Sequence, residues 1–296
     1  MNVEQHHVST PDGRTLEVST VGRSKGDTIF FHHGTPGSVA LISFFAEMAE
    51  RAGIYVVAMS RPGYGNSSRL EGRTVASVVN DVTAVLDSLG RDSYLSVGWS
   101  GGGPHALACA ALDTPRCRAA WSLAGVAPMD ADFDWTEGMG PENLEEFALA
   151  TEGGVRYEEF MARAAEEFSG ATPDNIVELF GTLLPPVDKA ALAEVDARLI
   201  LANSARHAFT NGWYGFYDDD RAFFAPWGFD PTAIEVPVAV WYGDQDLMVP
   251  PSHGAWLASN LATALPTHFA HEGHLSLVTN HLDDLVAAFK SVASRP

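Results

Sequence analysis

The sequence is short of cysteine, of positive charge and of long uncharged apolar runs, and each shortage removes a class of function. Two cysteines are present, Cys109 and Cys117, eight positions apart, the first inside a helical pattern. A disulfide framework is therefore excluded, and two buried, inert thiols are expected. Lysine and arginine number 18 against 38 aspartates and glutamates, a formal charge of −20 at pH 7. Such a chain repels phosphate backbones and anionic lipid, and no basic cluster offsets the excess, so nucleic acid is not an expected partner. No stretch has the length and freedom from charge of a bilayer span, and the opening MNVEQHHVSTPDG lacks a basic start followed by an apolar segment. The expectation is a cytoplasmic chain without membrane contact, monomeric or homodimeric.

What is present is a chain of 296 residues, 46% of them hydrophobic, enough to fill a large core. The segment HHVSTPDGRTLEVSTVG reads as two alternating strands around a Pro-Asp-Gly turn, an antiparallel edge hairpin. Apolar, β-branched runs follow at Thr28–Phe31, Tyr55–Met59, Tyr94–Val97 and Ala119–Leu123, separated by helical patterns at Val39–Arg51, Val75–Leu89 and Pro104–Leu112. That alternation predicts an α/β fold, with βαβ crossovers and a mainly parallel sheet covered on both faces. It stops near Pro128 and resumes at Val236, where VPVAVWYG is another buried strand; a helix over Ser252–Ala262, a strand over Pro266–Ala270 and a helix over Leu275–Ala293 complete the chain. Between the halves the pattern is helical only, with a stripe of Tyr157, Phe160, Met161, Ala164, Ala165 and Phe168. The predicted organisation is a core of residues 1–128 and 236–296 with a helical insertion over 129–235.

The most telling stretch is Gly98-Trp99-Ser100-Gly101-Gly102-Gly103, at the junction of a strand and a helix. Carboxyl ends of parallel strands are where loops meet and helix N-termini point their amides. A Gly-x-Ser-x-Gly turn there lifts the serine into a strained position while its glycines let strand and helix pass without clash. Ser100 is then the candidate nucleophile, and the Gly101 amide points to where an oxyanion forms. A serine needs an imidazole base, and the base a carboxylate. Asp244 and Asp246 follow one strand and His271 and His274 follow the last, all on the same rim, and spacing alone leaves both choices open.

In five segments the chain resembles the α/β-hydrolases. They are HHGTPGS (His32–Ser38), SRPGYGNSS (Ser60–Ser68), the elbow around Ser100, GDQDLMVP and EGHLSL. The resemblance implies an eight-stranded, mainly parallel sheet with an inserted helical cap. It implies that Asp246 is the acid and His274 the base, that the amide of Thr35 is the second oxyanion donor, and that Arg61 ties loops together outside the site. Serine at the elbow argues against the epoxide- and halide-displacing relatives, which attack with a carboxylate. Prolyl aminopeptidase-like enzymes carry a second glycine after His-Gly and a Gly-Gly-Ser-Trp-Gly elbow, and Thr35 and Trp99-Ser100-Gly101 depart from both.

The other polar residues have plainer readings. His268, His271 and His274 begin on a strand, where a spacing of three alternates faces, so no metal site is expected. His33 is expected to hold the loop's shape, His32 to end a strand and His253 to sit in a helix. Nine aromatics between Phe209 and Phe229 are mostly packing, a few of them turned toward an apolar pocket. Glu142, Glu145, Glu146, Glu158 and Glu159 are expected on solvated helix faces, although a pair turned inward would bind a free amine. The combined expectation is a cofactor-free serine hydrolase taking a small ester with an apolar acyl or alcohol part. The competing readings are an aminopeptidase, which requires an acidic recess, and a slow-turnover ligand sensor.

Overall fold

The computed structural model describes residues 2–293. Eight strands form one sheet: β1 (Glu4–Ser9), β2 (Thr15–Gly22), β3 (Thr28–His32), β4 (Tyr55–Met59), β5 (Tyr94–Trp99), β6 (Cys117–Leu123), β7 (Val238–Gly243) and β8 (Ala264–Phe269). Their order is β1-β2-β4-β3-β5-β6-β7-β8. β1 pairs antiparallel with β2, and β2 with β4; the remaining pairings are parallel. Every residue of β3 and β4 is buried, as a parallel strand covered on both faces requires. Successive residues serve opposite layers: Phe30 belongs to the cluster that includes Val18, Tyr94 and Val240, whereas its neighbours Ile29 and Phe31 belong to the one that includes Val56, Val97 and Trp121.

The helices are α1 (Ala46–Ala52), α2 (Val78–Ser88), α3 (Gly103–Leu112), α4 (Pro141–Glu152), α5 (Gly154–Ser169), α6 (Ile176–Leu179), α7 (Pro186–Ala191), α8 (Val195–Ala208), α9 (Tyr214–Phe224), α10 (Pro251–Asn260), α11 (Ser276–Thr279) and α12 (Leu282–Ala293). Three expected helices are not continuous. The first, at Val39, opens as a 3₁₀ turn through Phe45 before α1, and the next opens in the same way over Val75–Ser77 before α2. The last breaks at Asn280–His281, where the His281 ring turns to bond Glu272 and Asp284. The hairpin forms as read, but β2 is interior, with β1 alone at the edge.

From Ala124 to Pro237 the described chain contains no strand. The stripe on α5 divides between two neighbours. Tyr157, Met161 and Ala165 are buried against Leu149, Phe209 and Phe216, while Phe160, Ala164 and Phe168 face an internal cavity. Cys109 and Cys117 are both free and buried, and burial pushes the Cys109 thiol up to about 12. Among the described residues no helix is long and apolar enough to cross a membrane.

Candidate active site

The chain runs from β3 to β4 in one direction and from β5 to β6 in the other, so the loops leaving β3 and β5 part at the middle of the sheet. A crevice opens at such a switch point, outside the carboxyl ends of the strands. Thr35 lies on one of these loops and Ser100 on the other.

Ser100 has φ +56, the left-handed region that a side chain rarely adopts. The glycines around it are explained by space. A Cβ on Gly98 would meet the backbone of Gly102, and one on Gly102 would lie 2.8 Å from the carbonyl carbon of His32. Strand and helix therefore cross at contact distance, and β3 passes directly beneath the turn. The first-turn amide of Gly101 has no intrahelical acceptor, and no acceptor engages the Thr35 amide among the described residues. The two loops touch, since a Cβ on Gly101 would stand 2.8 Å from the Thr35 Cβ.

His274 is buried, and its Nδ1 donates to Asp246 Oδ2 at 2.7 Å. The other Asp246 oxygen accepts from the amides of Met248 and Val249 at 2.9 and 2.8 Å. Burial opposes protonation of His274, but the charge and hydrogen bond of Asp246, with Asp188 behind it, outweigh burial and raise its pKa above 6.5. With Nδ1 committed to Asp246, the Nε2 lone pair is left to accept a proton. Asp244 pairs instead with His268 at the exposed end of β8, and His271 is exposed. Trp99 packs its ring 5.2 Å from that of His274 and donates to the His274 carbonyl at 3.2 Å. Ser100 and His274 line the same narrow cavity of about 30 Å³, and Ser100 also lines a larger one of about 310 Å³. The Ser100 hydroxyl has no hydrogen-bond partner among the described residues.

A family model for the alpha/beta hydrolase fold matches residues 27–281. The chain belongs to the α/β-hydrolase family. The bifunctional esterase/perhydrolase of Acinetobacter calcoaceticus is 28% identical to this hydrolase over 252 residues, 82% of this chain and 83% of its own. Among solved structures, a bromoperoxidase from Bacillus anthracis matches with a TM-score of 0.71 at 18% identity, covering 99% of this chain and all of the other (100%). An esterase from Exiguobacterium antarcticum matches with a TM-score of 0.68 at 15% identity, again over 99% and 100% of the two chains.

Around these residues the hydrolase has supports that its sequence did not announce. Asp188 of α7 is buried and accepts from the amides of His274, Leu275 and Ser276 at 2.9, 3.0 and 2.8 Å, holding the loop that carries the imidazole. Asp219 of α9, also buried, accepts from the Thr35 hydroxyl at 2.7 Å, Arg61 at 2.6 Å, Arg73 at 2.6 Å and the Tyr64 hydroxyl at 2.9 Å. Arg61 further donates to the carbonyls of His33 and Gly34, so it does tie loops together. Arg61 and Arg73 both pair with the Asp219 carboxylate behind the Thr35 loop.

His33 takes the part expected of it. Its Nδ1 donates to the Gly34 carbonyl and its Nε2 accepts from the Arg61 amide, with burial, then Arg61, holding its pKa well below 6.5. His253 lies on α10 and binds backbone at both nitrogens, accepting from the Ala127 amide and donating to the Trp135 carbonyl. Of the nine aromatics, Phe216 and Phe223 face the larger cavity. One expectation fails. Glu146 is not on a solvated face but on the cavity wall against the buried Asp220, because α4 turns it to the same side as Asn143 and Phe147.

Proposed function

We propose that this α/β-hydrolase is a cofactor-free serine hydrolase of small carboxylic esters. The observation that carries the reading is the buried Asp246–His274 pair opening on the cavity that the strained Ser100 lines. Ser100 Oγ attacks the ester carbonyl while His274 Nε2 takes the hydroxyl proton. The carbonyl oxygen becomes an oxyanion between the amides of Thr35 and Gly101, preorganised donors that gain strength as charge develops. His274 returns its proton to the departing alcohol as the carbon–oxygen bond breaks. Water then repeats the sequence on the acyl-enzyme, with His274 as base and Ser100 as leaving group. Asp246 holds the tautomer and stabilises the imidazolium.

The helical insertion, residues 129–235, serves as a cap: α4, α5 and α9 roof the larger cavity with Phe147, Phe160, Phe216 and Phe223. That space accepts an apolar group of several carbons on one side of the scissile bond. On the other side, about 30 Å³ holds a group of roughly one or two heavy atoms. The name of the Acinetobacter relative, an esterase/perhydrolase, supports ester cleavage. Steady-state rates on esters lengthened on the acyl or the alcohol side test the reading: one series is tolerated and the other is not. Ser100→Ala is expected to lower turnover by about 10⁶. A Ser100→Ala protein that retains ester hydrolysis removes the proposal.

A further inference from the structure

The larger cavity carries a feature that ester hydrolysis does not use. On its wall the carboxyls of Glu146 on α4 and Asp220 on α9 lie close enough to interact directly. Asp220 is fully buried; its Oδ2 accepts from the Tyr157 hydroxyl at 2.7 Å and its Oδ1 has no donor. Glu146 likewise receives no donor among the described residues, its polar neighbour being the other carboxyl. Two carboxylates in contact in such a wall cannot both remain charged. Burial first, then the charge of the partner, raises Glu146 well above the usual carboxylate range. Burial raises Asp220 in the same way; Asp219 adds to the rise, while Tyr157 and Arg73 oppose it. With nothing bound, the pair shares a proton.

The remaining wall repeats the sign. Glu142, Glu145 and Glu167 also line the cavity, with Arg163 the only basic residue among those lining it, and aromatic rings make up much of the rest. An ammonium group matches what is missing. It can donate to Glu146, which faces the cavity, and displace the proton shared with the sealed Asp220 behind it, letting both ionise, and the ring faces favour a cation. Resting on the ester-hydrolase reading, we propose that the Glu146–Asp220 pair binds a protonated amino group of the substrate. The preferred esters then carry a primary or secondary amine in the part that fills the larger cavity. Binding the amine expels the shared proton to solvent.

The test compares three activated esters of equal length whose far end is an ammonium, a methyl or a carboxylate. The ammonium ester is expected to exceed the methyl ester in kcat/KM by about tenfold or more near neutral pH, with the carboxylate last. Glu146→Gln and Asp220→Asn, the latter keeping an acceptor for Tyr157, should each bring the ammonium-to-methyl ratio close to one. Independently of turnover, calorimetric titration with n-pentylammonium in buffers of different ionisation enthalpy should show tighter binding than 1-pentanol. About one proton should be released per amine bound. Amine binding with proton release in a protein that cleaves no ester supports the pair's role and overturns only the ester reading. Equal rates on the ammonium and methyl esters, with n-pentylammonium binding no tighter than 1-pentanol, overturn the proposal.

Discussion

Replacing Asp188 with asparagine isolates the support of the base from the base itself. The carboxylate accepts from three successive amides, those of Leu275 and Ser276 on Oδ1 and that of His274 on Oδ2. Asparagine keeps one acceptor and turns the other oxygen into a donor. In its better orientation the amide oxygen stays with Leu275 and Ser276, and the new NH₂ group faces the His274 N–H, donor against donor. Hydrogen bonds to charged groups contribute about 1.5–3 kcal/mol, and a buried donor left unpaired costs about as much. A loss of about 2 kcal/mol is therefore expected. Where it falls on the folded state, the urea midpoint drops with no change in slope. Where it falls on the transition state, kcat drops about thirtyfold, since each 1.36 kcal/mol is a factor of ten. A third readout separates positioning from simple scaffolding. The negative charge of Asp188 helps to raise the pKa of His274, so its removal moves the acid limb of the pH–rate profile to lower pH. Urea melts and kcat against pH on a chromogenic ester measure all three quantities. A variant with the wild-type midpoint and an unmoved acid limb refutes the reasoning.

Asp246→Asn should cost about 10⁴ in kcat. Because Asp246 holds the folded pKa of His274 above 6.5, the wild-type rate should rise through an apparent pKa above that value and the variant's through a lower one. The same raised pKa stabilises the fold fully below about pH 6.5, and that contribution fades as pH rises through the folded value; pH-dependent denaturation checks the sign. Gly101→Ala would set a Cβ 2.8 Å from the Thr35 Cβ and 3.0 Å from Phe223. The two oxyanion loops must then part, and kcat should fall by about 10²–10³ in a protein whose circular dichroism is unchanged; wild-type turnover would count against the assigned oxyanion donors.

Much of the architecture was legible because it is local. The runs Thr28–Phe31 and Tyr55–Met59 read as buried parallel strands from composition alone, and both are buried at every position. The glycines around Ser100 announce a tight crossing, and the crossing is there. The helix expected over Leu275–Ala293 is two, because the apolar pattern on either side of Asn280 and His281 does not reveal that the hydrogen-bond ladder breaks between them. Asp244 and Asp246 share a loop and differ by two positions; which one meets His274 is decided by how β7 and β8 present their loops to each other, and the one within reach is Asp246.

Other partnerships carry no local trace. Asp188 lies in the first turn of an ordinary short helix, and nothing near it points to the amides of His274 and its neighbours. Within the run Asp218-Asp219-Asp220 the three carboxylates are chemically alike in sequence, yet one pairs with Arg69, the next with Arg61 and Arg73, and the third with another carboxyl. Neighbouring residues along the chain determine whether a segment turns, extends or coils, so strands, elbow and motif order follow from the sequence itself. The charge state and role of a buried carboxylate depend on which distant helix lies against it and how much water that contact removes, and only the packed structure decides that.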